Sequence, residues 1–230
     1  VRPAYRRRGL GTFVLQWTEA RGRQLISQHP EARRAVLRLD FTDTRPDAVR
    51  LYERLGFRKR FTEHRMRRDL HAPIPDYALP EGVSILHWAP ERSVLFHDVY
   101  RDAWSTRPSG PGWTAEEWIA YYADDPDFRS DLTLLAMCGD EGIAFIRCDV
   151  TDEREWGTRV GWIAHLGVRR EWRGRGVGFG LLSLIMQRLR AEGLEYAELD
   201  VGSDNPDAKR LYERAGFTDT GHRTLYAKDV

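Results

Sequence analysis

The chain has 230 residues, of which 41% are hydrophobic and 31% charged, and its formal net charge is +1. This composition is typical of a folded globular protein and excludes collagen-like and extensively disordered chains. No segment approaches the roughly 18 uninterrupted apolar residues of a membrane span, and the basic first residues lack the apolar stretch of a signal peptide. We therefore expect no membrane partner.

The distribution of charge and the number of cysteines narrow the possible classes of protein further. Residues 1–70 carry a net charge of +10 and residues 71–230 a net charge of −9. A basic front could bind nucleic acid, but no nucleic-acid motif accompanies it, which favours two modules that dock or solvate separate faces. Cys138 and Cys148 are too few for a disulfide framework, and no Cys/His spacing predicts a metal site. This usage indicates a reducing, cytoplasmic compartment.

An internal repeat sets the domain organisation. Residues 45–57 match residues 205–217 almost position by position, and the glycine-rich stretch 5–11 matches 172–178. The second copy has a long segment ahead of its glycine motif, whereas the first begins at the motif. Residues 1–70 therefore predict the C-terminal half of one domain and residues 81–230 a complete one. Three prolines in 71–80 exclude regular helix and predict a linker.

Periodicity predicts an α/β fold for the complete copy. Antiparallel strands followed by alternating strands and helices indicate a mixed sheet with helices on both faces. Residues 139–142 predict a hairpin turn, and Thr114 with Glu117 predicts a helix capping box. The predicted strands are 83–86, 132–138, 143–150, 161–168, 195–201, 217–219 and 223–228, and the predicted helices are 92–104, 114–123, 176–192 and 206–215.

A glycine-rich turn between the strand at 161–168 and the helix at 176–192 carries the main chemical signal. Glycines let backbone N–H groups approach a ligand, the helix N-terminus is positive, and two arginines add charge. Together these features predict a pyrophosphate-binding loop rather than a merely flexible, solvated turn. The spacing fits neither a dinucleotide fingerprint nor a P-loop. The loop residues are Arg173, Gly174, Arg175, Gly176, Val177 and Gly178.

With the later motif Asn205-Pro206-x-Ala208-x-x-Leu211-Tyr212-Glu213-x-x-Gly216-Phe217, this loop resembles the GCN5-related N-acetyltransferase (GNAT) family. The resemblance covers the second copy throughout and the first from its glycine motif onward. The tandem layout is similar to the mycothiol synthase family, with the first domain truncated. The resemblance implies the acyl-CoA N-acyltransferase fold, acetyl-CoA as cofactor, and acetyl transfer to a primary amine of a small molecule or peptide. A non-catalytic module that binds coenzyme A and a macromolecule is the alternative.

The resemblance also implies roles for residues outside the loop. Backbone groups of the strand at 161–168 would pair with the pantetheine arm of the cofactor, and the later motif would steady it. Tyr212 would be the general acid beside the departing sulfur; the alternative is a packing aromatic, because Tyr52 recurs at the same place in the first copy. The implied cofactor-binding positions are Leu166, Gly167, Val168, Asn205, Ala208, Lys209 and Tyr212.

Two residues are candidates for the general base that removes a proton from the amine. Asp200 matches the position of the glutamate base in ribosomal-protein N-terminal acetyltransferases, one carbon shorter, so that a water would relay the proton. His165 is the rival, because imidazole ordinarily titrates near neutrality. Either residue could instead be a satisfied structural group.

The family's acceptor site is walled by the helices between the first two strands. Here these helices are rich in aromatic and acidic residues, which could hold a cationic amine; the alternative is core aromatics beside solvated acids. The candidate pocket residues are Trp104, Trp113, Trp118, Tyr122 and Trp162.

The partial copy departs from the family pattern. Arg45 stands where the second copy has Asn205, and the strand that would hold pantetheine is absent ahead of its loop. The partial copy should expose a sheet edge that must be covered, by upstream residues, by the complete copy or by another chain in a homodimer. We expect it to be structural or regulatory rather than catalytic.

Overall fold

The computed structural model describes residues 1–28, 36–42, 46–105, 114–123, 125–151 and 158–229. The α/β fold that the sequence predicts is confirmed. Within the described residues the helices are α1 (Leu10–Ile26), α2 (Pro46–Arg54), α3 (Ser93–Trp104), α4 (Ala115–Ala123), α5 (Val177–Ala191) and α6 (Pro206–Arg214). The strands are β1 (Val36–Thr42), β2 (Arg58–Asp69), β3 (Val83–His87), β4 (Leu134–Cys138), β5 (Glu141–Val150), β6 (Val160–Val168), β7 (Tyr196–Gly202) and β8 (Thr218–Asp229).

Single 3₁₀ turns at Pro3–Tyr5, Pro90–Arg92, Ser130–Leu132 and Arg170–Trp172 complete the regular structure of these ranges. Across the described parts of the chain, no helix combines the length and apolar character that crossing a membrane requires.

The chain forms two compact units. The first comprises Val1–Arg65, Val201–Pro206 and Thr220–Val230, and the second comprises Met66–Asp200 and Asp207–Asp219. Strands β2 and β8 contribute residues to both units. The sequence-based domain boundaries at 70 and 81 stay a prediction.

The first unit contains α1, α2 and a sheet with the strand order β1-β8-β2. Strand β1 is antiparallel to β8 from Val36 opposite Asp229 onward. The Lys228 ammonium of β8 donates to the Glu19 carboxylate of α1 at 2.7 Å and to the carbonyl of Leu55, which follows α2, at 2.9 Å. These hydrogen bonds link β8 to α1 and to the end of α2. Helix α1 leaves Phe13, Val14 and Trp17 more than half exposed. What covers this face stays a prediction.

The second unit is built on the strand order β2-β7-β6-β5-β4-β3. The pairs β3–β4, β4–β5 and β5–β6 are antiparallel, and β6–β7 is parallel. The apolar runs of β4 and β5 are almost wholly buried, as expected for strands covered on both faces. This sheet carries most of the candidate site.

Helices α3 and α5 lie on opposite faces of this sheet. A Cβ at Gly167 would lie 2.5 Å from the Trp104 ring of α3, whereas the next residue, Val168, lies 3.2 Å from a Cβ built at Gly178 of α5. Because adjacent strand residues point to opposite faces, the two helices sandwich β6. The expectation of helices on both faces is confirmed.

A β-bulge in β6 was not predicted. Arg147 of β5 pairs with His165, but the next residue, Cys148, pairs with Ile163, so Ala164 is an extra residue. One extra residue reverses the alternation of faces along a strand. A Cβ at Gly161 would accordingly meet Leu189 of α5, although Gly161 and Gly167 are an even number of residues apart.

Local signals in the sequence predicted the capping box and the β4–β5 hairpin, but they gave the wrong length for the hairpin turn and a false break in β8. The Thr114 N–H donates to the Glu117 carboxylate at 2.8 Å, and the Glu117 N–H donates to the Thr114 hydroxyl at 3.2 Å, so the box is confirmed. The hairpin predicted at 139–142 is present between β4 and β5, but its turn consists of two residues, Gly139 and Asp140, rather than four, because Glu141 already pairs with Cys138. The two strands predicted after 216 form one continuous strand, β8, through Gly221.

Replacing Gly167 with alanine tests the packing of α3 on β6. The added methyl would overlap Trp104, Phe145 at 2.9 Å and Ala103 at 3.1 Å, and overpacking of this kind should lower the free energy of unfolding by about 1–3 kcal/mol. Gly221→Ala is the matched control, since its methyl meets no described atom within 4 Å and should change stability by no more than about 0.5 kcal/mol. Urea denaturation measures both, and equal stabilities of the two variants would contradict this packing.

Candidate active site

The central feature of the second unit is an opening between two neighbouring parallel strands. Strands β6 and β7 pair only where residues 160–162 lie opposite residues 196–198. Beyond that point, within the described residues, no pairing between these two strands continues. The remaining half of β6, from Ile163 to Val168, therefore has a free edge on the side of β7.

The backbone of β6 aims two residues into this opening. The Arg169 N–H donates to the Ile143 carbonyl of β5 at 2.9 Å, and Val168 lies opposite Ala144. In an antiparallel pair, backbone groups of alternate residues point toward and away from the partner strand. The N–H and C=O groups of Leu166 and the N–H of Val168 thus point away from β5 and toward the opening, where an extended ligand could pair with them as a further strand.

The glycine-rich turn follows directly at the end of β6. Gly174 and Gly176 both adopt left-handed backbone conformations, with φ of 74° and 85°, and Gly176 caps the N-terminus of α5. Free N–H groups and the positive end of the helix dipole make this turn suited to an anion. The backbone required by the predicted pyrophosphate loop is therefore present.

The two arginines of the turn do different things. The Arg173 guanidinium donates to the Val168 carbonyl and to the Ala103 carbonyl, each at 3.1 Å, and so fastens the turn to β6 and α3. The Arg175 guanidinium lies over the Trp172 ring, 4.9 Å from its centroid. Arg173 thus has a structural role that the sequence does not reveal, whereas Arg175 is exposed beside the turn, where its charge can attract an anion.

Helix α6 meets this turn. Leu211 and Val168 both lie within 4 Å of a Cβ built at Gly178, so β6, α5 and α6 converge there. The neighbouring Tyr212 is 8% exposed, and its ring packs 5.9 Å from that of Phe217. The burial of Tyr212 is what the alternative of a packing aromatic predicts. Its helix also contacts the turn.

The remaining cofactor candidates are placed as follows. The Lys209 ammonium lies 3.5 Å from the Asp219 carboxylate, which engages its charge within the protein. Ala208 lies half-buried on the same helix. Asn205 belongs to the first unit, where its N–H donates to the Gly202 carbonyl at 2.9 Å. Their roles toward a cofactor stay predictions.

His165 lies in an aromatic setting on the α3 face of β6. Its Nδ1 is 3.3 Å from the Tyr122 hydroxyl, and the rings of Tyr100 and Trp104 lie 5.9 and 5.6 Å away. Burial lowers the pKa of His165 to about 3, and the positive charge of Arg147 acts in the same direction. The imidazole is therefore neutral at physiological pH. Asp200, the other candidate base, is partly exposed near the end of β7.

A buried ion cluster beneath His165 was missed by sequence reasoning. Arg147, 1% exposed, donates to Asp149 at 2.8 Å and to Asp125, and its guanidinium lies 4.3 Å from the centre of the Tyr122 ring. Burial raises the pKa of Asp149 to about 6 against the pull of Arg147. Two charged residues within an otherwise apolar strand were the available signal, since buried charges persist only when paired.

The candidate pocket residues divide by burial. Trp118 and Tyr122 are each 1% exposed within an aromatic core that includes Phe96, Tyr100 and Phe145, and burial raises the pKa of the Tyr122 phenol. Trp104 stacks on Tyr100 at 5.0 Å at the edge of this core. These contacts favour the alternative that Trp118 and Tyr122 are residues of the hydrophobic core. Contact of either residue with substrate stays a prediction.

The other two pocket candidates are less constrained. Trp162 lies half-buried on β6 at the last position paired with β7. Trp113 lies outside the described residues.

The family comparisons agree with the resemblance that the glycine-rich turn and the later motif carry. A family model described as "Acetyltransferase (GNAT) family" matches residues 96–217, and a second, described as "Acetyltransferase (GNAT) domain", matches residues 1–59. The chain belongs to the GNAT family of acetyltransferases and is an acyltransferase enzyme. The recognition made from the glycine motif and the later Tyr212 motif is confirmed.

Named relatives and a solved structure are similar to this chain along most of its length. The chain is 31% identical over 219 residues to "Mycothiol acetyltransferase" of Salinispora tropica, covering 94% of this chain and 67% of that protein. It is 29% identical to the protein of the same name from Acidothermus cellulolyticus, covering 99% and 69%. A solved GCN5-related N-acetyltransferase from Sphaerobacter thermophilus is 28% identical with a TM-score of 0.79, covering 100% of this chain and 70% of that one.

The low pKa of His165 predicts a specific dependence of stability on pH. In the unfolded chain an imidazole takes up a proton near pH 6.5, whereas folded His165 does so only near pH 3. Stability from this residue is therefore complete above pH 6.5 and is lost as the pH falls, by at most about 1.4 kcal/mol per unit. His165→Gln should flatten the fall between pH 6.5 and 4.5 in urea denaturation.

Asp149 supplies a control of opposite sign. Its folded pKa is above that of a free carboxyl, so its contribution to stability falls as the pH rises from about 4 to 6. Asp149→Asn should therefore steepen the loss of stability on acidification, whereas His165→Gln flattens it. An unchanged slope in His165→Gln would show that folding does not lower the pKa of its imidazole.

Proposed function

We propose that the second copy transfers an acetyl group from acetyl-CoA to a primary amine of a small molecule or peptide by direct attack. The observation that carries the proposal is the opening between β6 and β7, which exposes the backbone of Leu166 and Val168. The anion-binding turn at 173–178 follows within a few residues, so an extended ligand with a diphosphate can meet both features together. We assign the first copy, residues 1–70, a structural or regulatory role.

The residues present fit coenzyme A. Its pantetheine arm carries amide groups that can pair with the β6 edge as a strand would, and its phosphates suit the N–H groups of the turn and the nearby Arg175. When bound, acetyl-CoA supplies an acetyl thioester to the acceptor. Backbone N–H groups at the β6 edge can donate hydrogen bonds to a carbonyl oxygen that gains charge.

Tyr212 holds the proton that a departing thiolate needs. A phenol is protonated at neutral pH and can donate to an anion. The contact of its neighbour Leu211 with the turn fixes α6 against α5. Burial of the ring restricts its movement, which favours a positioned acid over a solvated one.

Asp200 is the better candidate for the base. An amine is mostly protonated at pH 7 and must lose a proton before it can attack. His165 is enclosed by aromatic rings and its imidazole, with a pKa of about 3, accepts protons weakly, whereas Asp200 is partly exposed near the end of β7, where a relaying water can reach it. His165 instead fits a neutral hydrogen-bonding group beside Tyr122.

The nature of the acceptor follows from the relatives. Their shared name, mycothiol acetyltransferase, supports a small-molecule acceptor. We propose that incubation with acetyl-CoA and a panel of polyamines, aminoglycosides, amino-sugar thiols and peptide N-termini will give acetylated product, by mass spectrometry, from a small-molecule amine. Binding of coenzyme A without product from any class would instead favour the non-catalytic module.

Tyr212→Phe tests the acid role and the assignment of catalysis to the second copy. Loss of a general acid should lower kcat by about 10²- to 10⁴-fold while the affinity for coenzyme A changes little. The matched control is Tyr52→Phe at the same place in the first copy, whose ring likewise packs on a following phenylalanine, Phe57. Its kcat should equal that of the wild type. Unchanged turnover in Tyr212→Phe would refute the acid role.

Asp200→Asn and His165→Gln distinguish the two bases. Asp200→Asn should lower kcat/KM by about 10²- to 10⁴-fold, because the amide cannot accept the proton of the amine. His165→Gln should keep both the rate and its pH profile within a few fold. The reverse pattern would make His165 the base.

A further inference from the structure

The proline-rich segment at 71–80 is fastened to helix α5. Residues 73–80 form neither helix nor strand, yet the Ser183 hydroxyl donates to the Pro75 carbonyl and Leu79 packs on Gly180. The Arg68 guanidinium donates to the Pro73 carbonyl at 2.6 Å. These anchors give the segment a defined course along the helix.

The segment brings one tyrosine to the anion-binding turn. The Tyr77 ring packs edge-on against Phe179 of α5, with 5.1 Å between ring centroids. Its hydroxyl oxygen would lie only 2.3 Å from a Cβ at Gly176, the residue that caps α5. Glycine at 176 therefore does two things: it adopts the left-handed backbone and leaves room for this hydroxyl.

The first copy shows that the tyrosine is not needed to build the turn. Gly9 caps α1 with φ 80° and ψ −9°, and Gly176 caps α5 with φ 85° and ψ −8°. The two backbones are alike, but no described atom lies within 4 Å of a Cβ built at Gly9. The phenol is thus an addition at the second copy, the copy to which we assign catalysis.

Packing alone does not account for the hydroxyl. Tyr77 is 42% exposed, and a phenylalanine would make the same ring contact with Phe179. An O–H donor at the N-terminus of a helix, beside backbone N–H groups, matches what a phosphate oxygen accepts. The segment also lies ahead of the residues matched by the GNAT family model, 96–217.

We propose that Tyr77 is a cofactor-binding residue whose hydroxyl donates a hydrogen bond to a phosphate group of coenzyme A held at the turn. The proposal rests on the proposed function, since it names a further residue of that same site. It makes the segment between the two copies a part of the cofactor site of the second.

Tyr77→Phe tests this inference by equilibrium binding without an acceptor. Calorimetry should show coenzyme A binding weakened by roughly tenfold or more, the usual effect of losing a hydrogen bond to a charged group. Pantetheine, which lacks phosphates, should bind wild type and variant alike. Tyr196→Phe, a tyrosine at the start of β7 with Arg67 over its ring, is the control and should bind coenzyme A as the wild type does.

The outcomes separate this inference from the proposed function. Wild-type protein that does not bind coenzyme A would overturn both. Wild-type binding that Tyr77→Phe leaves within twofold, or strengthens because the phenol obstructs the turn, would overturn the inference alone. Equal weakening for pantetheine and coenzyme A would also overturn it, since the effect would then not involve a phosphate. Thermal denaturation shows whether the variant is folded.

Discussion

The parting of β6 from β7 after Trp162 is the constraint on which the candidate site depends. A parallel pair normally uses the backbone groups of both strands along their length, but here only residues 160–162 are paired with β7. Because the register with β5 aims Leu166 and Val168 the other way, both backbone groups of Leu166 and the N–H of Val168 face the opening, while the Val168 carbonyl accepts from Arg173. The extra residue Ala164 lies at the start of this free segment, so the bulge and the opening occur together.

A buried ion cluster on β5 lies next to His165, on the α3 face of the sheet. Arg147 is removed from water and is stabilised by Asp149, Asp125 and the face of the Tyr122 ring. Burial lowers the pKa of the cross-strand neighbour His165, and the positive charge of Arg147 acts in the same direction, so the imidazole stays neutral. The ion cluster thereby adds to the effect of burial on a residue next to the backbone groups that face the opening.

Sequence patterns predicted the features that depend on local chemistry. The alternation of apolar residues located the strands, Thr114 and Glu117 located a helix start, and the glycine spacing located the turn at α5. Features that depend on long-range contacts were missed. The bulge at Ala164 changes no local pattern, the Arg173 hydrogen bond reaches α3, and the ion pair of Arg147 with Asp125 joins residues 22 positions apart. The course of the segment carrying Tyr77 depends likewise on packing against α5.

The most direct measurement is a crystal structure of the chain with coenzyme A. The account predicts that the pantetheine arm lies in the opening and pairs with Leu166 and Val168, with its phosphates at the N–H groups of residues 174–178. A coenzyme bound elsewhere, or strands β6 and β7 paired along their whole length, would contradict it.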